Sequence, residues 1–78
     1  MVFERLRALI MQQFAVGAEA VNMDTSFTDD LGADSLDIVE LTMSIEEEFD
    51  LTEMDEDILA TLLTVGDVTK YISGKIDD

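Results

Sequence analysis

A chain of 78 residues that contains no cysteine has to hold its fold together by packing, with bound cations or partners as the other available source of stability. It can form neither a disulfide bond nor a thiolate metal site. A hydrophobic fraction of 47% is enough for one small core, although a chain of this length buries only a modest part of its surface. We therefore expect a single domain, residues 1–78, that is stabilised by packed helices.

Hydrophobic periodicity predicts four helices and no strand. Near the N-terminus six apolar residues fall within about 140° of a helical wheel: Val2, Phe3, Leu6, Leu9, Ile10 and Phe14. The first predicted helix spans about residues 2–15, and Gly17 ends it. The second and third span about residues 34–49 and 55–63. Thr64 caps the fourth. The last helix carries one apolar stripe, made of Val65, Val68, Ile72 and Ile76. The predicted fold class is all-α, a small four-helix bundle of three main helices and one short helix.

The connection between the first two helices is long and polar, but it contains apolar residues that we expect to pin it to the core: Val21, Phe27 and Leu31. At its end Asp34 is the expected N-cap of the second helix, with Asp37 at capping-box spacing. Thr64 and Asp67 repeat that spacing before the fourth helix.

Ser35 begins the second helix in a chain that has no histidine and no cysteine. A catalytic serine needs a neighbouring base, and no serine–lysine pairing is evident either, so a hydrolase is excluded. A serine at a helix N-terminus, where an anion is favoured, suits a modification site better. We interpret Ser35 as an attachment point.

Acidic residues dominate the chain, with 19 Asp and Glu against 4 Lys and Arg, for a net charge of −15. This charge repels nucleic acid and anionic membranes, so neither is an expected partner. No apolar run approaches the roughly 18 residues of a membrane span, and the N-terminus lacks the pattern of a signal peptide. We expect a soluble, cytoplasmic protein. No positive side chain lies between Ala8 and Thr69, which indicates either a solvated acidic surface or a docking surface for basic patches.

The second helix has an apolar rim beside a strip of carboxylates. At 100° per residue its polar residues fill an arc of about 100°, and Leu36, Val39 and Met43 border this arc. The carboxylates at its C-terminal end oppose the helix dipole, so helix stability alone does not explain them. We predict a partner-binding surface made of Asp37, Val39, Glu40, Met43, Glu46 and Glu47. The alternative is that the rim residues pack under neighbouring loops.

Two stretches of the sequence resemble one known family. Residues 26–50 read SFTDDLGADSLDIVELTMSIEEEFD, with a DSL motif at Asp34, Ser35 and Leu36, and residues 64–72 read TVGDVTKYI. Over nearly its whole length the chain resembles the acyl carrier proteins of the freestanding fatty-acid-synthase type. It departs from many relatives in lacking a proline before the third helix.

The resemblance implies that a phosphopantetheinyl transferase attaches 4′-phosphopantetheine to Ser35, with Asp34 and Leu36 as the flanking motif. Acyl chains then travel as thioesters on the thiol of this arm to fatty acid synthesis enzymes that have basic docking patches. It implies a monomeric carrier, not an enzyme. It also implies an acyl cleft between the second and third helices. Either this cleft or an ordinary bundle core would be lined by Leu41, Ile45, Phe49, Ile58, Leu59, Leu62 and Leu63. The resemblance places Met54 and Ile58 beside Met43 on the partner surface.

Other classes of protein share parts of this pattern. No stretch provides a calcium-binding loop, because the twelfth position counted from Asp55 is Gly66 where glutamate is needed. We expect no ordered metal site, and diffuse binding of divalent cations to Asp29, Asp30, Asp34 and Asp37 stays open. A specialised, polyketide-type carrier would share the Ser35 motif. A non-covalent acidic adaptor would need neither an arm nor the Ser35 hydroxyl.

Overall fold

The computed structural model describes residues 2–51 and 56–76. Within these ranges the chain forms four α-helices: α1 (Val2–Phe14), α2 (Ser35–Phe49), α3 (Glu56–Leu59) and α4 (Val65–Ile76). A single turn of 3₁₀ helix, Ala18–Ala20, lies in the connection after α1. The described ranges contain no strand, only an isolated antiparallel bridge between Ser26 and Thr64. The prediction of a small helical bundle with one short helix is confirmed.

The core lies where α1 packs against α2 and α4. Its buried apolar side chains come from three helices and from the long connection: Val2, Leu6, Ile10, Val21, Phe27, Ala33, Leu41, Ile45, Phe49, Val65, Val68 and Ile72. Each large aliphatic side chain buried here contributes about 1.5–3 kcal/mol of transfer free energy. The stripe predicted for α4 is confirmed, since Ile76 also packs against this cluster.

The prediction that Gly17 ends the first helix is wrong. The helix ends at Phe14, and Ala15 takes the left-handed conformation with φ 55°. The amide of Val16 donates to the Met11 carbonyl at 3.3 Å, which is the long hydrogen bond of a Schellman motif. Alanine can hold this position because the following residue, Val16, packs against the core and fixes the turn.

The third helix is shorter than the periodicity predicts, and its predicted start at Asp55 lies outside the described residues. After Leu59 the amides of Thr61 and Leu62 turn back to carbonyls three residues earlier. The next residue, Leu63, uses its backbone for tertiary contacts: its carbonyl accepts from the Phe27 amide and its amide donates to Asp67. The helix therefore stops where its backbone is needed to join the long connection to α4.

The long connection is joined to the start of α4 by main-chain hydrogen bonds. The amide of Val65 donates to the Thr25 carbonyl at 3.0 Å, and that of Gly66 donates to the Met23 carbonyl at 2.9 Å. Of the three predicted apolar anchors, Val21 and Phe27 are buried and Leu31 is half-buried against the core, so that prediction is confirmed.

The predicted cap of α4 is present. The amide of Asp67 donates to the Thr64 hydroxyl, and one oxygen of the Asp67 carboxylate accepts from the amides of Thr64 and Leu63, all at 3.1 Å. Donation by the Thr64 amide, and secondarily by the Leu63 amide, lowers the pKa of Asp67 from its ordinary value, since these donors favour the ionised form.

Candidate functional site

Ser35 is the first residue of α2, and its side chain is exposed. A tight turn delivers the chain to this point: the Ala33 amide donates to the Phe27 carbonyl at 2.8 Å, and Gly32 takes a positive φ of 66°. Both Ala33 and Phe27 are buried. The residues just before Ser35 are therefore anchored, while Ser35 itself faces solvent.

The capping box predicted from the spacing of Asp34 and Asp37 is confirmed. The Asp37 amide donates to an Asp34 carboxylate oxygen at 2.9 Å, and the Asp34 amide donates to Asp37 Oδ2 at 3.1 Å. These carboxylates satisfy the amides of Asp34 and Asp37 at the start of the helix. The hydroxyl of Ser35 lies between them in sequence and makes no hydrogen bond with the part of the chain that the structure describes.

A shallow groove of about 340 Å³ opens beside Ser35. It runs between α2 and the end of α3, and its other lining residues are Ile38, Val39, Leu59 and Ala60. The lining is mostly apolar. A slender, flexible group attached to Ser35 would have apolar surface to lie against, and among the described residues no cationic side chain lines the groove to bind a phosphate.

A smaller cavity of about 20 Å³ shares Ile38 and Leu59 with this groove. It is lined by Phe27, Ile38, Leu41, Thr42, Ile45, Leu59, Leu62 and Val68. Four of the seven residues predicted to line a cleft between the second and third helices therefore do so. Leu63 was wrongly included, since its side chain is 65% exposed, and neither Phe49 nor Ile58 lines the cavity. The cavity is close to the space that one water molecule needs, so an enclosed acyl chain requires the surrounding side chains to move apart.

The outer face of α2 presents the predicted apolar rim to solvent. Leu36, Val39 and Met43 are 64%, 47% and 59% exposed. They do not pack under loops, so the alternative interpretation of the rim is excluded. Glu40 and Glu47 are exposed on the same helix, while Asp37 and Glu46 are half-buried. Met54, which we expected beside Met43, lies outside the described residues, and Ile58 is half-buried.

The carboxylates at the C-terminal end of α2 have a partner that no sequence pattern indicates. The guanidinium of Arg5 donates to Glu48 Oε2 at 3.0 Å and to the Glu48 carbonyl at 2.7 Å, and it lies 4.4 Å from the centroid of the Phe49 ring. A cation at the C-terminal end of a helix interacts favourably with the helix dipole. Glu48 therefore has a tertiary contact with α1, which the sequence-based interpretation did not include.

Gln13 is a second residue near the site that the sequence-based prediction missed. Its side-chain amide donates to the Asp37 carbonyl in the first turn of α2 at 2.6 Å. Gln13 follows Ile10 by three residues, so it continues the buried stripe Val2, Leu6, Ile10 of α1. A polar residue at the end of an apolar stripe was the available signal.

Within residues 2–51 and 56–76, no three His, Cys, Asp or Glu side chains lie together in a way that could hold a metal ion. No α-helix in these ranges has the length and hydrophobicity that crossing a membrane requires.

Two comparisons with known proteins bear on this site. A family model described as a phosphopantetheine attachment site matches residues 4–72. An acyl carrier protein from Clostridium acetobutylicum is 47% identical over 78 residues, the full length of both chains. Both similarities indicate a carrier rather than a catalyst, and both support 4′-phosphopantetheine as the group that the domain carries. The residues beside Ser35 fit such a group, because an exposed hydroxyl with no hydrogen-bond partner in the described chain opens onto an apolar groove.

Proposed function

Because the chain belongs to the acyl carrier proteins, we propose that Ser35 is the residue that bears its 4′-phosphopantetheine and that the acyl chains it carries are those of fatty acid synthesis. The observation that carries this proposal is the exposed Ser35 hydroxyl at the start of α2. Its immediate neighbours are Asp34 and Leu36, which complete the motif.

The attachment is a phosphoryl transfer onto the Ser35 oxygen. Ser35 Oγ forms a bond to the pantetheine-bearing phosphorus of coenzyme A, the bond from that phosphorus to the adenosine bisphosphate breaks, and the hydroxyl proton passes to a base. The chain has no histidine to serve as that base, and the nearby carboxylates of Asp34 and Asp37 are engaged in the capping box. The base must therefore come from a separate transferase.

The chain's own contribution is to present the hydroxyl. The buried anchors before Ser35 fix the start of α2, and the helix dipole favours an anionic phosphodiester there. Asp34 and Asp37 oppose that anion, so the arm is presented toward solvent and along the groove, not clamped. The chain has no cysteine, so the sulfur of the thioester is supplied by the terminal thiol of the arm when it is bound.

The outer face of α2 is the surface that we propose for docking the transferase and the fatty acid synthesis enzymes. Carboxylates would steer a basic patch to this face, and the exposed rim would supply apolar contact. The proposed docking residues are Asp37, Val39, Glu40, Met43, Glu46 and Glu47. We further propose that the protein acts as a cytoplasmic monomer, since a net charge of −15 opposes association of two copies.

Mass spectrometry after incubation with coenzyme A and a phosphopantetheinyl transferase tests the attachment. The wild-type chain and a control, Ser44→Ala on the same helix, should each gain one phosphopantetheinyl group, and Ser35→Ala should gain none. Modification of the Ser35→Ala variant would contradict the assignment. A non-covalent adaptor would leave even the wild-type mass unchanged.

Charge reversal tests the docking surface. The pair Glu40→Lys and Glu47→Lys should raise the KM of the transferase about tenfold at low salt and less at high salt, because the charges act by steering. The pair Glu4→Lys and Glu19→Lys changes net charge equally at exposed positions outside α2 and should leave KM close to the wild-type value. Equal effects of the two pairs would refute a localised surface.

A further inference from the structure

The side chain of Gln13 joins the last turn of α1 to the first turn of α2. Its Nε2 atom donates to the Asp37 carbonyl at 2.6 Å, and the bond is partly buried. In a regular helix that carbonyl already accepts from the amide of Leu41, four residues on. Helix formation in α2 therefore does not need the Gln13 bond, and its effect is to fix one helix against the other.

Asp37 is held at three of its polar groups. Its amide donates to Asp34, its carboxylate accepts from the Asp34 amide, and its carbonyl accepts from Gln13. The first two bonds are local and would travel with the helix. Of these three bonds, only the one from Gln13 reaches another helix, and it acts two residues from Ser35.

The end of α1 that carries Gln13 is itself fixed. Ile10, one turn earlier, is fully buried, and the Schellman turn at Ala15 follows directly. A hydrogen bond from a rigid donor restricts the acceptor more than one from a fraying helix end. The neighbouring residue Gln12 is exposed, and its side chain makes no hydrogen bond within the described ranges.

We propose that Gln13 is a positioning residue for the modification of Ser35: it holds the first turn of α2 so that the hydroxyl is aimed for transfer. This inference rests on the proposed function of Ser35. Gln13 does not contact the reacting atoms and acts through Asp37. Without its hydrogen bond the turn samples more orientations, and a smaller fraction of docked chains has the hydroxyl in line with the phosphorus.

The test compares single-turnover transfer rates at saturating carrier for two pairs of variants. Gln13→Met removes the donor while keeping the length of the side chain, and Gln12→Met is its matched control. Gln13→Lys keeps a donor that can reach the Asp37 carbonyl, and Gln12→Lys controls for the added charge. We expect Gln13→Met to react about two- to tenfold more slowly than Gln12→Met, the range set by the net worth of one hydrogen bond.

We expect the KM of the transferase for the carrier to be the same in both methionine variants, because the docking surface is intact. We expect Gln13→Lys to react at the same rate as Gln12→Lys, because the lysine keeps a donor to the Asp37 carbonyl. Amide exchange at Asp37 should be faster in Gln13→Met than in Gln12→Met, and unchanged at Ile72. Equal transfer rates for the two methionine variants would overturn the inference, even if Gln13→Met were less stable. A wild-type chain that gains no group would instead overturn the proposed function, and the inference with it.

Discussion

Replacing Arg5 by methionine should destabilise the protein by more than the loss of one positive charge explains. The guanidinium of Arg5 makes three contacts at the C-terminal end of α2: an ion pair with Glu48, a hydrogen bond to the Glu48 carbonyl, and a stacking contact with the Phe49 ring. Methionine keeps much of the aliphatic stem and removes the charge. All three contacts are lost together.

The expected loss follows from how exposed these contacts are. The side chains of Arg5 and Glu48 are 47% and 40% exposed, so their ion pair contributes about 0.2–1 kcal/mol. An exposed cation–π contact contributes about 0.5–1 kcal/mol, and a cation at a helix C-terminus about 0.3–1 kcal/mol. One guanidinium makes all of them and they overlap, so we expect about 1–2 kcal/mol, or a Tm lower by roughly 5–15 °C.

Urea unfolding of Arg5→Met and Arg7→Met measures this difference. Each variant removes one positive charge from the same acidic chain, but Arg7 stacks on Phe3 at 5.2 Å and makes no ion pair in the described ranges. Arg5→Met should be the less stable variant by about 0.5–1 kcal/mol, and the gap should narrow at high salt as the ion pair is screened. Equal stability of the two variants at low salt would refute the role of Arg5 as a clamp.

Two further predictions concern α4. Gly66→Ala should lower the free energy of unfolding, measured in urea, by about 1–3 kcal/mol, because the added Cβ would lie 2.8 Å from the Met23 carbonyl oxygen. Gly74→Ala should raise it by about 0.5–1 kcal/mol, because its Cβ meets no atom within 4 Å. A Gly66→Ala variant more stable than Gly74→Ala would contradict the packing of α4. Asp67 has a lowered pKa, so its stabilising effect is complete above the ordinary aspartate value of 3.8 and is lost as the pH falls through the lower folded value. As the pH is lowered, the free energy of unfolding should therefore fall less steeply in Asp67→Asn than in the wild type. Identical slopes of unfolding free energy against pH would exclude this contribution.

The parts of the fold that could be predicted from the sequence are those set by neighbouring residues. The capping boxes at Asp34 and Thr64 need partners only three positions away, and the apolar stripe of α4 is a local period. The exposed rim of α2 could be predicted for the same reason, because the positions of its residues around the helix depend only on local spacing. The position of Ser35 at a helix start could likewise be predicted from the DSL motif and the acidic helix that follows it.

The missed features depend on contacts between residues far apart in the chain. Arg5 and Glu48 are separated by 43 positions, and Gln13 and Asp37 by 24. Such pairs are fixed by how α1 crosses α2, which no local pattern encodes. The shortened α3 has the same origin, because Phe27 of the long connection and Asp67 of α4 take the carbonyl and the amide of Leu63 that a longer helix would have used.

The most direct test of Ser35 as the bearer of the arm is to feed labelled pantothenate to the cells that make this protein and to sequence its peptides by mass spectrometry. We predict label on the peptide that contains Ser35, on the serine itself, and on no other residue. Purified chains that remain free of label, or that carry it elsewhere, would contradict the account.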